Sequence, residues 1–144
     1  LRNFYAAIGG LDGLDAHLPK MADYKARAVE LAAAFKAAGH AVTPDPPRSN
    51  GFHLFVAAEP KLLEAAHLDV AEATGCWHFG SFAATPVPGF TRLEIMIGDA
   101  AEDFPNAEIV DALGRMMALA HRDGMTLDSA PTIPLASPSE HGRT

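Results

Sequence analysis

The sequence predicts an α/β two-layer domain, a small, mainly antiparallel sheet covered by helices. Three observations carry this. Amphipathic helical stripes and short apolar runs alternate in the order helix, strand, strand, helix, strand, strand, helix, the pattern of a sheet that buries one face under helices. Leu93, Ile95 and Ile97 recur at every second residue, which places them on one face of a strand. The chain has 144 residues, of which 49% are hydrophobic and 20% charged, enough for one domain with a real core.

In chain order, residues 4–16 are rich in alanine and leucine and form a first helix, although Gly9, Gly10 and Gly13 each lower its propensity by about 1 kcal/mol. These glycines also permit close helix approach, so the helix is expected to pack on something outside the chain. Leu18-Pro19 breaks the pattern, and Pro19 suits the first turn of the next helix. Met21, Tyr24, Ala28, Leu31 and Phe35 then form a stripe that ends near Gly39. Ala41-Val42-Thr43 is a short strand, ended by Pro44-Asp45-Pro46-Pro47. Phe52 to Val56 is apolar on both faces and so belongs at the centre of the sheet. Pro60 opens a helix with Leu62, Leu63, Ala66, Val70 and Ala73 buried, and Gly75 closes it. Cys76-Trp77-His78-Phe79 reads as a strand, with an antiparallel return into 91–97 through a loop carrying Pro86, Pro88 and Gly89. Acidic residues and Pro105 introduce a last helix striped by Ile109, Val110, Leu113, Met116, Met117 and Ala120. From Ser129 the composition turns to proline, serine and alanine, a tail.

The net charge is -7, with no basic run, which argues against nucleic acid or an anionic membrane as partner. One cysteine, Cys76, excludes an intrachain disulfide and fits a reducing cytoplasm. No apolar run approaches the roughly 20 residues that cross a bilayer. The seven histidines show no His-x-x-x-His or Glu-x-x-His spacing, and Cys76-Trp77-His78 offers one thiolate only, so no metal site is expected. Cys76 lies in an apolar run, the setting of a buried inert thiol. Lys20, Lys25, Lys36 and Lys61 all fall on helices or at their starts, without the desolvated pocket a Schiff-base lysine needs. No catalytic residue is assigned. Arg92, at the entry of the late strand, is the one candidate binding residue: a planar cation with a fork of N–H donors matches two carboxylate oxygens. From spacing alone, a rim salt bridge is the commoner role for such an arginine.

A family resemblance shifts that balance. Leu18-Pro19-Lys20-Met21-Ala22-Asp23-Tyr24 precedes a long helix, and Pro44-Asp45-Pro46-Pro47-Arg48-Ser49-Asn50 precedes the strand with His53. Gly75-Cys76-Trp77, Thr91-Arg92-Leu93 and Gly98-Asp99 follow. In this order and spacing they resemble the C-terminal part of threonine aldolase-like proteins, the beta-eliminating lyase group of fold type I pyridoxal-phosphate enzymes in the aspartate aminotransferase-like superfamily. The resemblance covers about residues 1–122.

It implies that residues 1–18 are a helix leading in from a large domain absent here, that 19–124 are the small C-terminal domain, and that 125–144 are a flexible tail. The opening Leu1 leads to the same expectation of a longer polypeptide. The cofactor implied is pyridoxal phosphate, held by the large domain with its lysine. The substrate implied is an amino acid whose α-carboxylate Arg92 binds, and Ser49-Asn50 is expected to be structural. The activity implied is retro-aldol cleavage of a β-hydroxy amino acid to glycine and an aldehyde, in a cytoplasmic homo-oligomer, a dimer or tetramer. After Arg92 the chain departs from familiar aldolases: Glu94-Ile95-Met96-Ile97-Gly98 stands where a threonine-histidine pair usually precedes the aspartate. The exact substrate is therefore left open, with β-elimination and transamination as related chemistries. The alternative from another class is a free-standing α/β binding or dimerisation module. Separated from a large domain, the small domain is expected to expose an apolar patch and to self-associate.

Overall fold

The structure is a computed structural model, described here for residues 4–128. Helix α1 spans Phe4–His17 and passes through a 3-10 turn, Leu18–Lys20, into α2, Met21–Ala37. Pro19 lies in that 3-10 turn. Gly39 follows α2 with a φ of 92°, and its N–H donates to the Lys36 carbonyl. Strands β1 (Ala41–Thr43) and β2 (Gly51–Val56) come next, then α3 (Pro60–Thr74), β3 (Ala83–Ala84) and β4 (Thr91–Met96). A 3-10 turn over Asp99–Asp103 leads to α4, Asn106–Asp128. Helix α3 starts on Pro60 and ends on Gly75 at φ 73°, a left-handed position that costs glycine nothing. Residues 125–128 extend α4, and the tail expected from Ser129 lies outside the described residues.

The four strands form one antiparallel sheet in the order β1-β2-β4-β3. Strand β2 is central, as its two-sided apolar character predicts. Phe52 pairs with Ile95, Leu54 with Leu93 and Val56 with Thr91, and all six are buried. Against this face pack Tyr24, Ala28, Leu31 and Phe35 of α2, Leu63, Ala66 and Val70 of α3, and Ile109, Leu113 and Met116 of α4. Burying each large side chain contributes about 1.5–3 kcal/mol, which is why the period-2 pattern of β4 and the stripes of the helices agree on one core. Thr91, buried among them, donates its hydroxyl to the Ala58 carbonyl at 2.7 Å.

One element differs from the sequence reading. Cys76 to Phe79 is not a strand; the chain is irregular from 76 to 82, and the pairing with β4 falls later, at Ala83 and Ala84. The aromatic residues that suggest a strand are engaged by helices instead. Trp77 meets His67 of α3 edge-on at 4.4 Å between ring centroids, and His78 meets Phe104 at 5.2 Å. The Phe79 N–H donates to the His67 ring at 3.4 Å, so a side chain replaces a ladder partner.

Candidate functional site

The face of the sheet opposite the helices carries the alternate residues of the same strands. Three rows cross it. Ala41, Phe55, Arg92 and Ala83 form one; Thr43, His53 and Glu94 the second; Gly51 and Met96 the third. Arg92, Glu94 and Met96 are exposed, while Gly51, His53 and Phe55 are half-buried. Side chains directly opposite on neighbouring strands stand roughly 4.5–5.5 Å apart at Cβ. Arg92 is thus flanked by the Phe55 ring on one side and the small Ala83 on the other, which leaves lateral space for its guanidinium.

Among the described residues Arg92 forms no ion pair, so none of their carboxylates matches its charge. A cavity of about 210 Å³ opens on the same face, lined by Thr43, Ser49, Gly51, His53, Glu94 and Met96 among others. Arg92 is not in its lining; Glu94, two residues along β4, is. At the cavity's edge the two strand ends are clamped. Asn50 donates its side-chain amide to the Ile97 carbonyl at 2.8 Å, and the Ile97 N–H returns to the Asn50 carbonyl at 2.8 Å. Asn50 therefore has the structural part expected of it. A Cβ at Gly51 would meet the Met96 sulfur, so a larger residue there would push the exposed Met96 side chain aside.

A second group joins segments far apart in sequence. Asp99 accepts from Lys20 at 2.8 Å and from the Tyr24 hydroxyl, and His17 approaches the Tyr24 hydroxyl at 3.2 Å. The hydrogen bonds from Lys20 and Tyr24 hold the Asp99 carboxyl below the usual carboxylate range. Two of the motifs that carry the family resemblance, the one around Lys20 and Gly98-Asp99, thus meet in space. Sequence reasoning found the motifs but not their contact, because 79 residues separate Lys20 from Asp99.

The lysines are solvated. Lys20 and Lys36 are paired with Asp99 and Asp45, and Lys25 and Lys61 lie on exposed helix faces. None has the desolvated surroundings that activate an amine, so the described residues do not fit a Schiff-base site for a carbonyl cofactor. Apolar surface is also on view. Leu11, Leu14 and Leu18 are 61%, 52% and 60% exposed, as are Trp77 and Met96 by similar amounts. No helix among the described residues is long and apolar enough to cross a membrane.

No family model matches the chain, and no curated protein matches it. Solved structures do. One, from Exiguobacterium sp. 255-15, is provisionally named an aromatic amino acid beta-eliminating lyase/threonine aldolase; it superposes with a TM-score of 0.60 at 26% identity over 74% of this chain. Another, from Listeria monocytogenes EGD-E, is provisionally named an L-allo-threonine aldolase; it gives 0.58 at 22% identity over 76%. In both cases the match spans 30% of the solved chain. The structural neighbours of this chain are threonine aldolase and beta-eliminating lyase proteins, and it has the fold of a little under a third of such a chain.

Proposed function

We propose that this chain is the small C-terminal domain of a pyridoxal-phosphate-dependent lyase, threonine aldolase-like, and that Arg92 binds the α-carboxylate of its amino-acid substrate. The observation that carries this reading is the position of Arg92: exposed, without an ion-pair partner among the described residues, on the sheet face that the helices leave open, in a fold shared with threonine aldolase structures. The cofactor, which when bound supplies an electron sink for bond cleavage at Cα, finds no Schiff-base lysine among the described residues and on this reading belongs to a large domain. The part played here is orientation. The guanidinium grips the carboxylate through two parallel N–H donors and so fixes which Cα bond is presented for cleavage. For a β-hydroxy amino acid the outcome is retro-aldol cleavage to glycine and an aldehyde. The exposed leucines of α1 and its following turn fit an interface with that large domain or with a second subunit of a cytoplasmic dimer or tetramer.

The test is Arg92→Lys in the complete enzyme. A lysine keeps the charge and loses the fork, and a lost charge-assisted hydrogen bond of about 1.5–3 kcal/mol predicts a Michaelis constant for the amino acid raised about 10- to 100-fold. The cofactor absorbance should be unchanged. An unaltered Michaelis constant removes Arg92 from the site. Assaying the same enzyme with β-hydroxy amino acids, elimination substrates and keto acids separates aldol cleavage from elimination and transamination.

A further inference from the structure

The irregular segment after α3 carries Cys76 and His78, and α4 brings Glu108 to them in its first turn. We propose that Cys76, His78 and Glu108 form a binding site for a transition-metal dication, with zinc the preferred ion. The Cys76 sulfur, a ring nitrogen of His78 and a carboxylate oxygen of Glu108 all lie within 4.8 Å of one another. Bonds of about 2.0–2.3 Å to one ion put ligand atoms somewhat closer together than that, so modest side-chain rotation closes the set. Nothing in the backbone has to move far, because Glu108 already faces the His78 Nε2 at 3.3 Å.

The state of His78 is the second observation. Its side chain is 2% exposed, and its Nδ1 is buried without a hydrogen-bond partner. When Nε2–H donates to Glu108, the other nitrogen is left with an unused lone pair in a dry setting. A metal shared with Glu108 takes the Nε2 lone pair, the nitrogen that already faces the carboxylate at 3.3 Å, with the single ring proton moved to Nδ1. Charge also balances: a thiolate and a carboxylate neutralise a dication, so the site can be partly buried without an uncompensated charge. Thiolate and imidazole donors favour zinc and its neighbours over magnesium or calcium, which take oxygen ligands.

A cavity of about 180 Å³ adjoins the group, lined by His78 and Glu108 together with Val70, Thr74, Asp111 and Arg115. It has room for water as a fourth ligand. Arg115 does not repel the ion strongly, because Asp111 holds its guanidinium at 2.8 Å. The site would pin the 76–82 segment to α4. It is independent of the proposed amino-acid binding, which uses the open face of the sheet and Arg92.

The chain has a single cysteine, so a thiolate-to-metal absorption band can report only this site. Chelator-treated protein titrated with Co²⁺ should develop that band to one equivalent and lose it when Zn²⁺ is added. Cys76→Ser should abolish the band. Glu108→Gln, at a half-exposed side chain, should weaken Co²⁺ binding more than about 10-fold. His78→Gln should do the same, provided its circular dichroism matches the parent. No band in the parent protein overturns the site. So does a band whose affinity is unchanged in Glu108→Gln, which would mean a thiol acting alone, and so does stoichiometric zinc binding that survives Cys76→Ser.

Discussion

Leu54 and Phe55 are neighbours in β2, and Leu93 and Arg92 are neighbours in β4, yet each pair is divided by the sheet. Leu54 and Leu93 oppose one another at 0% exposure beneath the helices. Phe55 and Arg92 oppose one another on the side the helices do not reach. The first face is apolar apart from the hydrogen-bonded Thr91, and it is filled. The second mixes a ring, a guanidinium, an imidazole and a carboxylate, and among the described residues it has no layer above it. A sheet that needs only one face for its core can give the other to chemistry, because period-2 alternation separates the two sets of side chains completely. Stability and recognition can then be altered independently, residue by residue.

The largest effect should come from the closed face. Leu54→Ala removes a fully buried side chain from the middle of the central strand, where three helices limit relaxation. It should cost about 2–5 kcal/mol of unfolding free energy, read as a lower urea midpoint. A loss under about 1 kcal/mol would mean that this face is not the core.

A smaller, graded effect should come from acid. Burial lowers the pKa of His40, and burial together with the electrostatic influence of neighbouring His78 lowers that of His67. Both folded values therefore lie below the ordinary 6.5, so the unfolded chain takes up protons first as pH falls. Above that pH neither group favours either state; below it stability declines, and the loss levels off once pH has passed the depressed folded values. His67 accepts the Phe79 N–H and can do so only while neutral. Urea midpoints measured from pH 7.5 down to 5 should fall, and His67→Gln should flatten the dependence. A flat profile in the parent would show that the covered side holds no buried neutral imidazole.

The smallest effect on stability should come from the open face. Arg92→Met keeps length and strand tolerance but removes the charge, and it should shift unfolding by no more than about 0.5 kcal/mol. If it destabilises by more than about 1 kcal/mol, Arg92 serves the fold, and the contrast between the two sides disappears.

Much of this architecture is legible in the sequence where the cause is local. Gly39 and Gly75 sit at positive φ just past their helices, and Pro60 begins α3. Alternation in β4 and the two-sided apolar character of β2 give both strands and the central place of the second. What alternation cannot say is which face lies open, so Arg92 stands out by family resemblance rather than by periodicity. Residues 76–79 mislead because their β-forming composition is spent on aromatic contacts with α3 and with Phe104, contacts that exist only after folding. Glu108 is invisible as a companion to His78 for the same reason: the two are 30 positions apart in the sequence. Long-range pairs such as Lys20 with Asp99 belong to topology, which no local window contains.

Both outer strands of the sheet are brief, three residues in β1 and two in β3. The edge on the β3 side is stepped, since β3 covers only Thr91 and Arg92 of β4, and no straight run of it offers a foreign strand more than a few N–H and C=O groups to match. Leu11, Leu14, Trp77 and Met96 show that the domain does not lack sticky surface, but that surface is made of side chains. Crowded together, copies of this domain have the means to adhere patch to patch and little means to zip into a continuous fibril, so concentrated material should yield soluble clusters before it yields cross-β deposits.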